Sequence, residues 1–456
     1  MRSLPCLSLL LLFASTCVAG STPAPTPVRC ALPLLGRYLP KFRGPRASTR
    51  IAPARAPAAA PATRELWAWD LTVMPPGFRR VTASLRAAGG HCLVYVEDAE
   101  WGRTVDQAAV DTILSTFESR TPRHPDKGIA DVDREAFGEI PPGLDGETRV
   151  TLLFTRMGRF NGQGFDGFFN SFDTLTEQTA WKEYQQHSNE TDILYLNTDG
   201  NPPASDYMLS VLSHELVHLV AHPFDPDEVG WIGETLGEAG MLLCGYDTDQ
   251  AHARRYASRP STPLVTEPYV SYGACLLLAA NFVDHQPPGF LKRLTAEPAE
   301  GIEGLEKTLS SFGPSDGFPG LFEKWVAGNL VSGLGSASPD LAYASLSTPP
   351  MAATTVAAGG LAETSGRLQA TGVRYLKFAA AGSYRLHLAA SGPGAMLGLA
   401  IRSPASPLPD ASPLTARELA GLEPIQAREG DCIAVFGLAP GVYSYRLSVE
   451  AAGAPR

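Results

Sequence analysis

The chain has 456 residues, and 44% of them are hydrophobic, so its length and composition allow two or three domains with sizeable cores. Its 37 Lys and Arg against 47 Asp and Glu give a formal net charge of −10. This acidic balance, without basic clusters, excludes the electrostatic footprint of a nucleic-acid-binding protein.

Residues 1–20 have the features of a secretory signal peptide: an early Arg, a short apolar core and small residues at the end. Such a segment is too short to span a membrane, and cleavage is predicted near Ala19 or Gly20. A lipoprotein anchored at Cys17 is the alternative, but Thr16 fits that pattern poorly. We therefore expect a secreted, extracellular protein, and no later stretch is long and apolar enough to span a membrane.

Residues 21–63 are rich in Pro, Ala and Arg and show little periodicity. The composition predicts an extended linker or a disordered arm. A propeptide that is removed on activation is the alternative.

From Glu65 onward the pattern is globular. Residues 79–86 and 92–97 are predicted to be strands of a hairpin, because an Ala-Gly-Gly turn separates them. Helical spacing of apolar residues predicts an amphipathic helix over 105–118, and VTLLFTRM at 150–157 predicts a buried strand.

The next two segments have contrasting compositions. Residues 161–173, NGQGFDGFFNSFD, are rich in Gly and Phe and are predicted to form a loop packed by its own aromatic rings. Residues 193–197, ILYLN, are predicted to form the last strand before a long helix.

That helix carries the pentapeptide HELVH, and residues 208–220 around it are apolar on nearly every side. His214 and His218 lie four apart, on one helical face, where two imidazoles can bind one metal ion. Glu215 lies about 100° round the helix and can reach a water at that ion. These groups are the minimum set for metal-assisted hydrolysis. A surface helix with two solvated histidines is the alternative, but the apolar neighbours indicate burial.

A zinc site of this kind needs a third protein ligand. The HExxHxxGxxH pattern is excluded, because Phe224 stands where its last His would be. His222 is two turns, about 12 Å along the axis, from the first histidine of the motif. A second helix is predicted after Gly230, and it carries Glu234 and Glu238 four residues apart. Glu234 remains as the candidate.

Residues 231–238, WIGETLGE, resemble the WLNEG and NExxSD stretches of gluzincin metallopeptidases, the thermolysin-like superfamily. The resemblance implies that Glu234 is the third zinc ligand and that Glu238 orients a ligand histidine. An ordinary buried acid is the alternative for Glu238. The sequence departs from the family pattern at Gly233, where Asn is usual.

The succession VTLLFTRM, GFDGFFNSFD, SNETDILYLN, LSHELVHLV and WIGETLGEAG is similar to the hyicolysin-like family of secreted bacterial zinc peptidases. The resemblance covers roughly residues 65–335. It implies a gluzincin core with one zinc ion that cleaves peptide bonds. It also implies that strand 193–197 is the sheet edge along which the substrate backbone pairs; an ordinary strand of the sheet is the alternative. The GxMEN motif of the aminopeptidase branch is missing, which favours an endopeptidase.

Residues 266–330 are predicted to be helical and to form the other wall of a cleft over the zinc. In aminopeptidase-type gluzincins a Tyr downstream of the Glu ligand stabilises the oxyanion, and Tyr272 resembles it in placement. A Tyr that caps a core helix is the alternative.

The C-terminal part changes character. Residues 335–360 are rich in Ser, Ala, Gly and Pro and are predicted to be a linker. Residues 361–456 alternate at strand period, which predicts a separately folding all-β sandwich, open to carbohydrate or cell-surface contact.

These patterns together predict an α+β fold, with a gluzincin-like domain over 64–334 that has an N-terminal mixed sheet and a C-terminal helical subdomain. His214, His218 and Glu234 are expected to hold one Zn²⁺, and Glu215 to move the proton during hydrolysis of a protein or peptide substrate. The alternative is a secreted or surface-attached binding protein with a catalytically silent peptidase fold.

Five cysteines remain after residue 20, an odd number, so at least one would be outside an intramolecular disulfide. If residues 21–63 are a propeptide, Cys30 could cap the zinc ion in a latent form, although nothing in its local sequence supports this.

Overall fold

The computed structural model of the chain describes residues 28–30, 39–42, 59–139, 143–160, 163–267, 270–335, 338–356, 362–392, 396–401, 414–415 and 425–451. The predicted signal peptide and Cys17 lie outside these residues, as does most of the 21–63 arm. No helix in the described ranges has the length and apolar character needed to cross a membrane.

In the described residues, eight strands form one mixed sheet. They are β1 Val28–Cys30, β2 Thr63–Asp70, β3 Gly77–Ala88, β4 Cys92–Glu97, β5 Val150–Thr155, β6 Arg159–Phe160, β7 Gln163–Phe169 and β8 Ile193–Asn197. Their order is β1-β7-β8-β5-β4-β3-β2, with β6 paired to β7. Strands β4, β5 and β8 run parallel, whereas β7 is antiparallel to β8 and parallel to β1.

The middle of this sheet is buried on both faces, which explains the continuous apolar runs in β5 and β8. Alternate residues point to opposite sides. One face belongs to the cluster shared with the helices and includes Val94, Leu152, Phe154, Leu194 and Leu196. The other face belongs to a separate cluster that includes Leu93, Tyr95, Leu153, Ile193 and Tyr195.

Two of the early predictions are confirmed. The hairpin predicted from 79–86 and 92–97 is the antiparallel pair β3 and β4. The helix predicted over 105–118 is α1, Gln107–Glu118, and the side chain of Asp106 caps it by accepting a hydrogen bond from Ala109 N.

The loop predicted over 161–173 is wrong in its first half, because β7 is a strand, followed by a 3-10 turn at Ser171–Thr174. Glycines lower strand propensity, but they also allow close backbone approach. A Cβ on Gly167 would lie 2.5 Å from Val211 Cγ1 and 2.8 Å from Glu215 Cγ. The glycine therefore lets β7 cross directly over the helix that carries the motif.

The expectation that strand 193–197 is a sheet edge is also wrong. In the sheet, β8 lies between β5 and β7, and Gly167 of β7 stands opposite Leu196 of β8. The strand on the outer side, next to the motif helix, is β7, and its outer edge pairs with β1.

Beyond α1, the longer helices of the described residues are α2 Ile129–Phe137, α3 Asp206–Ala221, α4 Gly230–Cys244, α5 Gln250–Ser258, α6 Tyr272–His285, α7 Phe290–Thr295, α8 Gly301–Ser311 and α9 Gly317–Gly333. The predicted helical region 266–330 corresponds to α6 to α9. Two short helical turns, Glu177–Thr179 and Ala180–Tyr184, connect β7 to β8.

Helix α3 is buried along most of its length. Its first turn is capped by Ser205, whose Oγ accepts from Met208 N at 3.4 Å, and it ends at Ala221 before Pro223. It packs against β7 and β8 on one side and against α4 on the other. The motif is thus held between the outer strand and a second helix.

The C-terminal strands are β9 Ala353–Val356, β10 Ala362–Gln369, β11 Val373–Phe378, β12 Gly382–Ser391, β13 Met396–Ile401, β14 Leu414–Thr415, β15 Ile425–Ala427, β16 Cys432–Gly437 and β17 Val442–Ala451. Among the described residues they form two sheets, ordered β10-β17-β12-β15 and β14-β13-β16-β11-β9. One hydrophobic cluster contains residues of both sheets, including Leu368, Leu376, Ile433 and Leu447.

The stretch predicted as a linker is packed rather than extended. Its described residues 338–356 include buried side chains and end in β9, which joins the five-stranded sheet; these side chains are Leu341, Tyr343, Leu346 and Met351. The outer face of that sheet continues into the core of the helices. Tyr375 Oη donates to Val326 O at 2.8 Å, and the rings of Phe322 and Phe436 are 5.2 Å apart.

Candidate metal centre and catalytic residues

Helices α3 and α4 bring the predicted metal ligands together. His214 Nε2 is 3.1 Å from His218 Nε2 and 3.1 Å from Glu234 Oε2. His218 Nε2 is 3.9 Å from Glu234 Oε1. All three side chains are at least nine-tenths buried, so their polar atoms face one another and not bulk water.

This donor set fits a zinc ion. Zinc takes His nitrogen and carboxylate oxygen at about 2.0–2.2 Å in tetrahedral geometry, which places neighbouring donors roughly 3.3 Å apart. The two 3.1 Å separations lie close to that value, and the separation between His218 and Glu234, 3.9 Å, is wider. Burial beside His214 lowers the pKa of His218 to about 4, and Glu234 opposes this shift. His218 is therefore neutral at pH 7, which is the form that binds a metal.

Glu238 lies on the other side of His214, with Oε1 3.8 Å from Nδ1. Both side chains are fully buried. A carboxylate at the second ring nitrogen is the usual partner of a metal-binding histidine, because it sets the tautomer and the ring orientation. The two acids of α4 thus face different nitrogens of the His214 ring: Glu234 faces Nε2, and Glu238 faces Nδ1.

Gly237 is a site residue that the sequence did not single out. A Cβ at this position would lie 2.7–2.8 Å from three atoms of the His214 ring, and real Cβ atoms essentially never come so close. At Gly233, the point of departure from the family pattern, a Cβ would have 4.0 Å to His218 Cε1. Helix α4 therefore needs glycine at 237 and not at 233 to approach the histidines.

Glu215 is fully buried and turns toward β7. The backbone N–H of Phe169 donates to Glu215 Oε2 at 3.1 Å, and the thiol of Cys30 donates to the same oxygen at 3.7 Å. The carboxylate is thus held beside the donor cluster without belonging to it.

The local sequence of Cys30 does not predict a metal ligand, yet the fold brings this residue to the site. Its Sγ joins donor atoms of His214, His218 and Glu234 in a cluster in which all lie within 4.8 Å of one another. Its neighbours in sequence carry no metal-binding pattern. The pairing of β1 with β7 is what places it there.

Tyr272 begins α6 and lies next to this cluster. Its hydroxyl donates to the backbone oxygen of Cys30 at 3.0 Å, and its ring packs 5.2 Å from that of His252. Burial, together with the nearby Glu234 carboxylate, raises the pKa of Tyr272 well above its ordinary value. The hydroxyl therefore keeps its proton and acts as a donor.

A cleft of about 430 Å³ opens beside His218 and Glu234. Aromatic rings of Phe169, Phe172 and His222 form part of its lining. Glu267 and Val270, which precede α6, and residues 39–42 of the N-terminal arm also line this cleft.

No family model matches the chain, and no curated protein matches it. Among solved structures, PliG from Salmonella Typhimurium, a periplasmic inhibitor of g-type lysozyme, is 13% identical with a TM-score of 0.17, covering 22% of this chain and 99% of that chain. An Escherichia coli PliG mutant has 12% identity, a TM-score of 0.16 and coverages of 22% and 100%. For Aeromonas hydrophila PliG the values are 14%, 0.15, 22% and 96%. Similarities this low carry no argument about fold or function.

Proposed function

We propose that the chain is a secreted zinc-dependent endopeptidase. The observation that carries this proposal is the convergence of His214, His218 and Glu234, from two helices, on one buried point beside Glu215. Two imidazoles and one carboxylate are a recurrent ligand set of hydrolytic zinc sites, which keep one further position open. The predicted signal peptide supports secretion, and the missing GxMEN motif favours an endopeptidase over an aminopeptidase.

When bound, a zinc ion lowers the pKa of a coordinated water to about 7 and polarises a substrate carbonyl. His214, His218 and Glu234 are the residues that hold it. Glu238 keeps the His214 ring in place from its Nδ1 side.

Glu215 moves the proton. The Phe169 N–H fixes its carboxylate beside the metal position. Glu215 takes a proton from the attacking water as the water oxygen bonds to the scissile carbonyl carbon. It then gives this proton to the leaving amine as the C–N bond breaks.

Tyr272 is the candidate donor to the developing oxyanion. Its protonated hydroxyl lies beside the cluster and already donates to a backbone carbonyl, that of Cys30. A neutral, preorganised donor in a buried site is suited to stabilising the negative oxygen of a tetrahedral intermediate.

The test is Glu215→Gln, compared with its parent for zinc content and for digestion of casein, with and without a chelator. Both proteins carry Cys30→Ser, because the wild-type thiol lies within the donor cluster. We expect about one zinc per chain in both proteins and a loss of activity of about 10²–10⁴-fold in the Gln variant.

Glu303→Gln is the matched control, since Glu303 is exposed and its carboxylate pairs with Lys307 on the same helical face. Near-parental turnover in Glu215→Gln would exclude the general-base role. A zinc-loaded parent without any peptidase activity would favour the silent binding protein instead.

A further inference from the structure

We infer that the N-terminal arm closes the site in a latent form of the protein, with Cys30 as a fourth metal ligand. The inference rests on the proposed function. It concerns two described pieces of the arm, β1 and residues 39–42.

The backbone of β1 occupies the outer edge of β7. Val28 pairs with Phe165 and Cys30 pairs with Gly167 in a parallel register. Extended peptides commonly bind by adding a strand to an open sheet edge. Because β7 is the strand that crosses the motif helix and holds Glu215, a substrate backbone would need this same edge. In the structure, the chain's own segment covers it.

The Cys30 side chain reaches the metal donors. Its residue is fully buried, and its Sγ belongs to the cluster formed with the two histidines and Glu234. Thiolate is a strong zinc ligand, and three protein ligands leave one position for it. With a metal bound there, the Cys30 thiol would give its proton to Glu215 Oε2, 3.7 Å away, and the thiolate sulfur would take the remaining position. The sulfur would then hold the position that a water needs, and the protonated Glu215 could not act as the base.

The surroundings of Cys30 distinguish it from the other buried thiols. Cys92, Cys244, Cys275 and Cys432 all belong to the main hydrophobic cluster. Cys30 is in none of the described clusters and faces polar, metal-binding side chains. An ordinary core cysteine would be packed among apolar groups.

Cys30 contacts the site through its backbone as well as through its sulfur. Its carbonyl is held by the Tyr272 hydroxyl at 3.0 Å, the group proposed to bind the oxyanion, whereas the sulfur is the atom placed among the metal donors. The metal position therefore faces a side chain and not a scissile carbonyl.

Residues 39–42 give the arm a second attachment, in the cleft beside His218. The Phe42 side chain is buried, with its ring 4.8 Å from His222, 5.7 Å from Phe172 and 6.0 Å from Tyr184. The arm thus covers the sheet edge and the cleft together. Its removal would expose both.

The first experiment loads the full-length protein with Co²⁺ and records its near-ultraviolet spectrum. Thiolate coordination gives a sulfur-to-cobalt charge-transfer band. We expect the band in the wild type and in Cys432→Ser, the matched control, and its loss in Cys30→Ser. A wild-type spectrum without the band would overturn the inference.

The second arm measures casein digestion by the same three zinc-loaded proteins. Cys30→Ser should exceed the wild type and Cys432→Ser by about tenfold or more, as expected if the thiol contributes at least about 1.4 kcal/mol to closure. Equal activity of all three would overturn latency while leaving the peptidase intact. A band without activity in any variant would contradict the proposed function and leave Cys30 as a metal ligand.

Alkylation of the wild type guards against misfolding of the variant. Iodoacetamide labelling of Cys30 and Cys432 is followed by mass spectrometry with and without zinc. Zinc should slow labelling of Cys30 by about tenfold or more beyond its effect on Cys432, because it stabilises the closed arm in addition to the fold. Equal zinc effects on both thiols would overturn the inference.

Discussion

At the scale of residues, the two acids of α4 differ in which nitrogen of His214 they face. Glu234 Oε2 is 3.1 Å from Nε2, whereas Glu238 Oε1 is 3.8 Å from Nδ1. We expect Glu234→Ala to lose zinc at ordinary concentrations, since two histidines alone remain of the three proposed ligands. Glu238→Ala should bind zinc about 10–100-fold more weakly, because it loses the group that orients a ligand.

Zinc titration of both variants, in the Cys30→Ser background, measures this difference. Circular dichroism of the zinc-free proteins controls for folding. If Glu238→Ala loses zinc outright and Glu234→Ala retains it, the roles of the two acids are reversed.

At the scale of elements, the separation between α3 and α4 is set by small residues that face the histidines. We expect Gly237→Ala to weaken zinc binding by about tenfold or more, because its Cβ would fall 2.7 Å from the His214 ring in a site with no room to move. Alanine favours helix by roughly 1 kcal/mol over glycine, so a neutral position would gain stability instead.

Gly233→Ala is the matched control on the same helix, since its Cβ would find ordinary contact distance, 4.0 Å, to His218. It should keep zinc affinity and melt at the same temperature or higher. Equal zinc affinities of the two variants would show that α4 can shift away from His214 without cost.

At the scale of the whole molecule, the C-terminal sheets and the helices share a core. Phe322 and Trp325 of α9 are at most 1% exposed, and Phe322 packs on Phe436 of β16. A chain that ends at Leu334 loses this cover. We expect a markedly lower melting temperature, since each large side chain newly exposed to water costs about 1.5–3 kcal/mol. Zinc should be lost only as the fold is lost.

Thermal denaturation with zinc analysis at each temperature tests this expectation. Phe436→Ala in the full chain is the companion variant, and it should melt earlier than the parent with unchanged zinc stoichiometry. A truncated chain that melts like the parent would restore the original prediction of two independently folding parts.

Features that depend on near neighbours along the chain follow from the sequence alone. His214, Glu215 and His218 lie within one helical turn, so the 3.6-residue period alone predicts their shared position. The same period predicts that Glu234 and Glu238 lie on one side of α4. The burial of α3 also follows from composition, because a helix that is apolar on nearly every side has no face to give to water.

Features that depend on contacts between distant segments appear only once the chain is folded. Cys30 meets Glu215 across 185 residues of sequence, and a Pro- and Ala-rich arm contains no local signal for that pairing. Gly167 lowers the strand propensity of β7, and the reason for the glycine, the close approach of α3, is visible only in the fold. The apolar residues of 338–356 likewise join the core through partners far along the chain. The period of apolar residues predicts which way a side chain points. The order of strands and the covering of a sheet edge depend on packing between elements that are far apart in sequence.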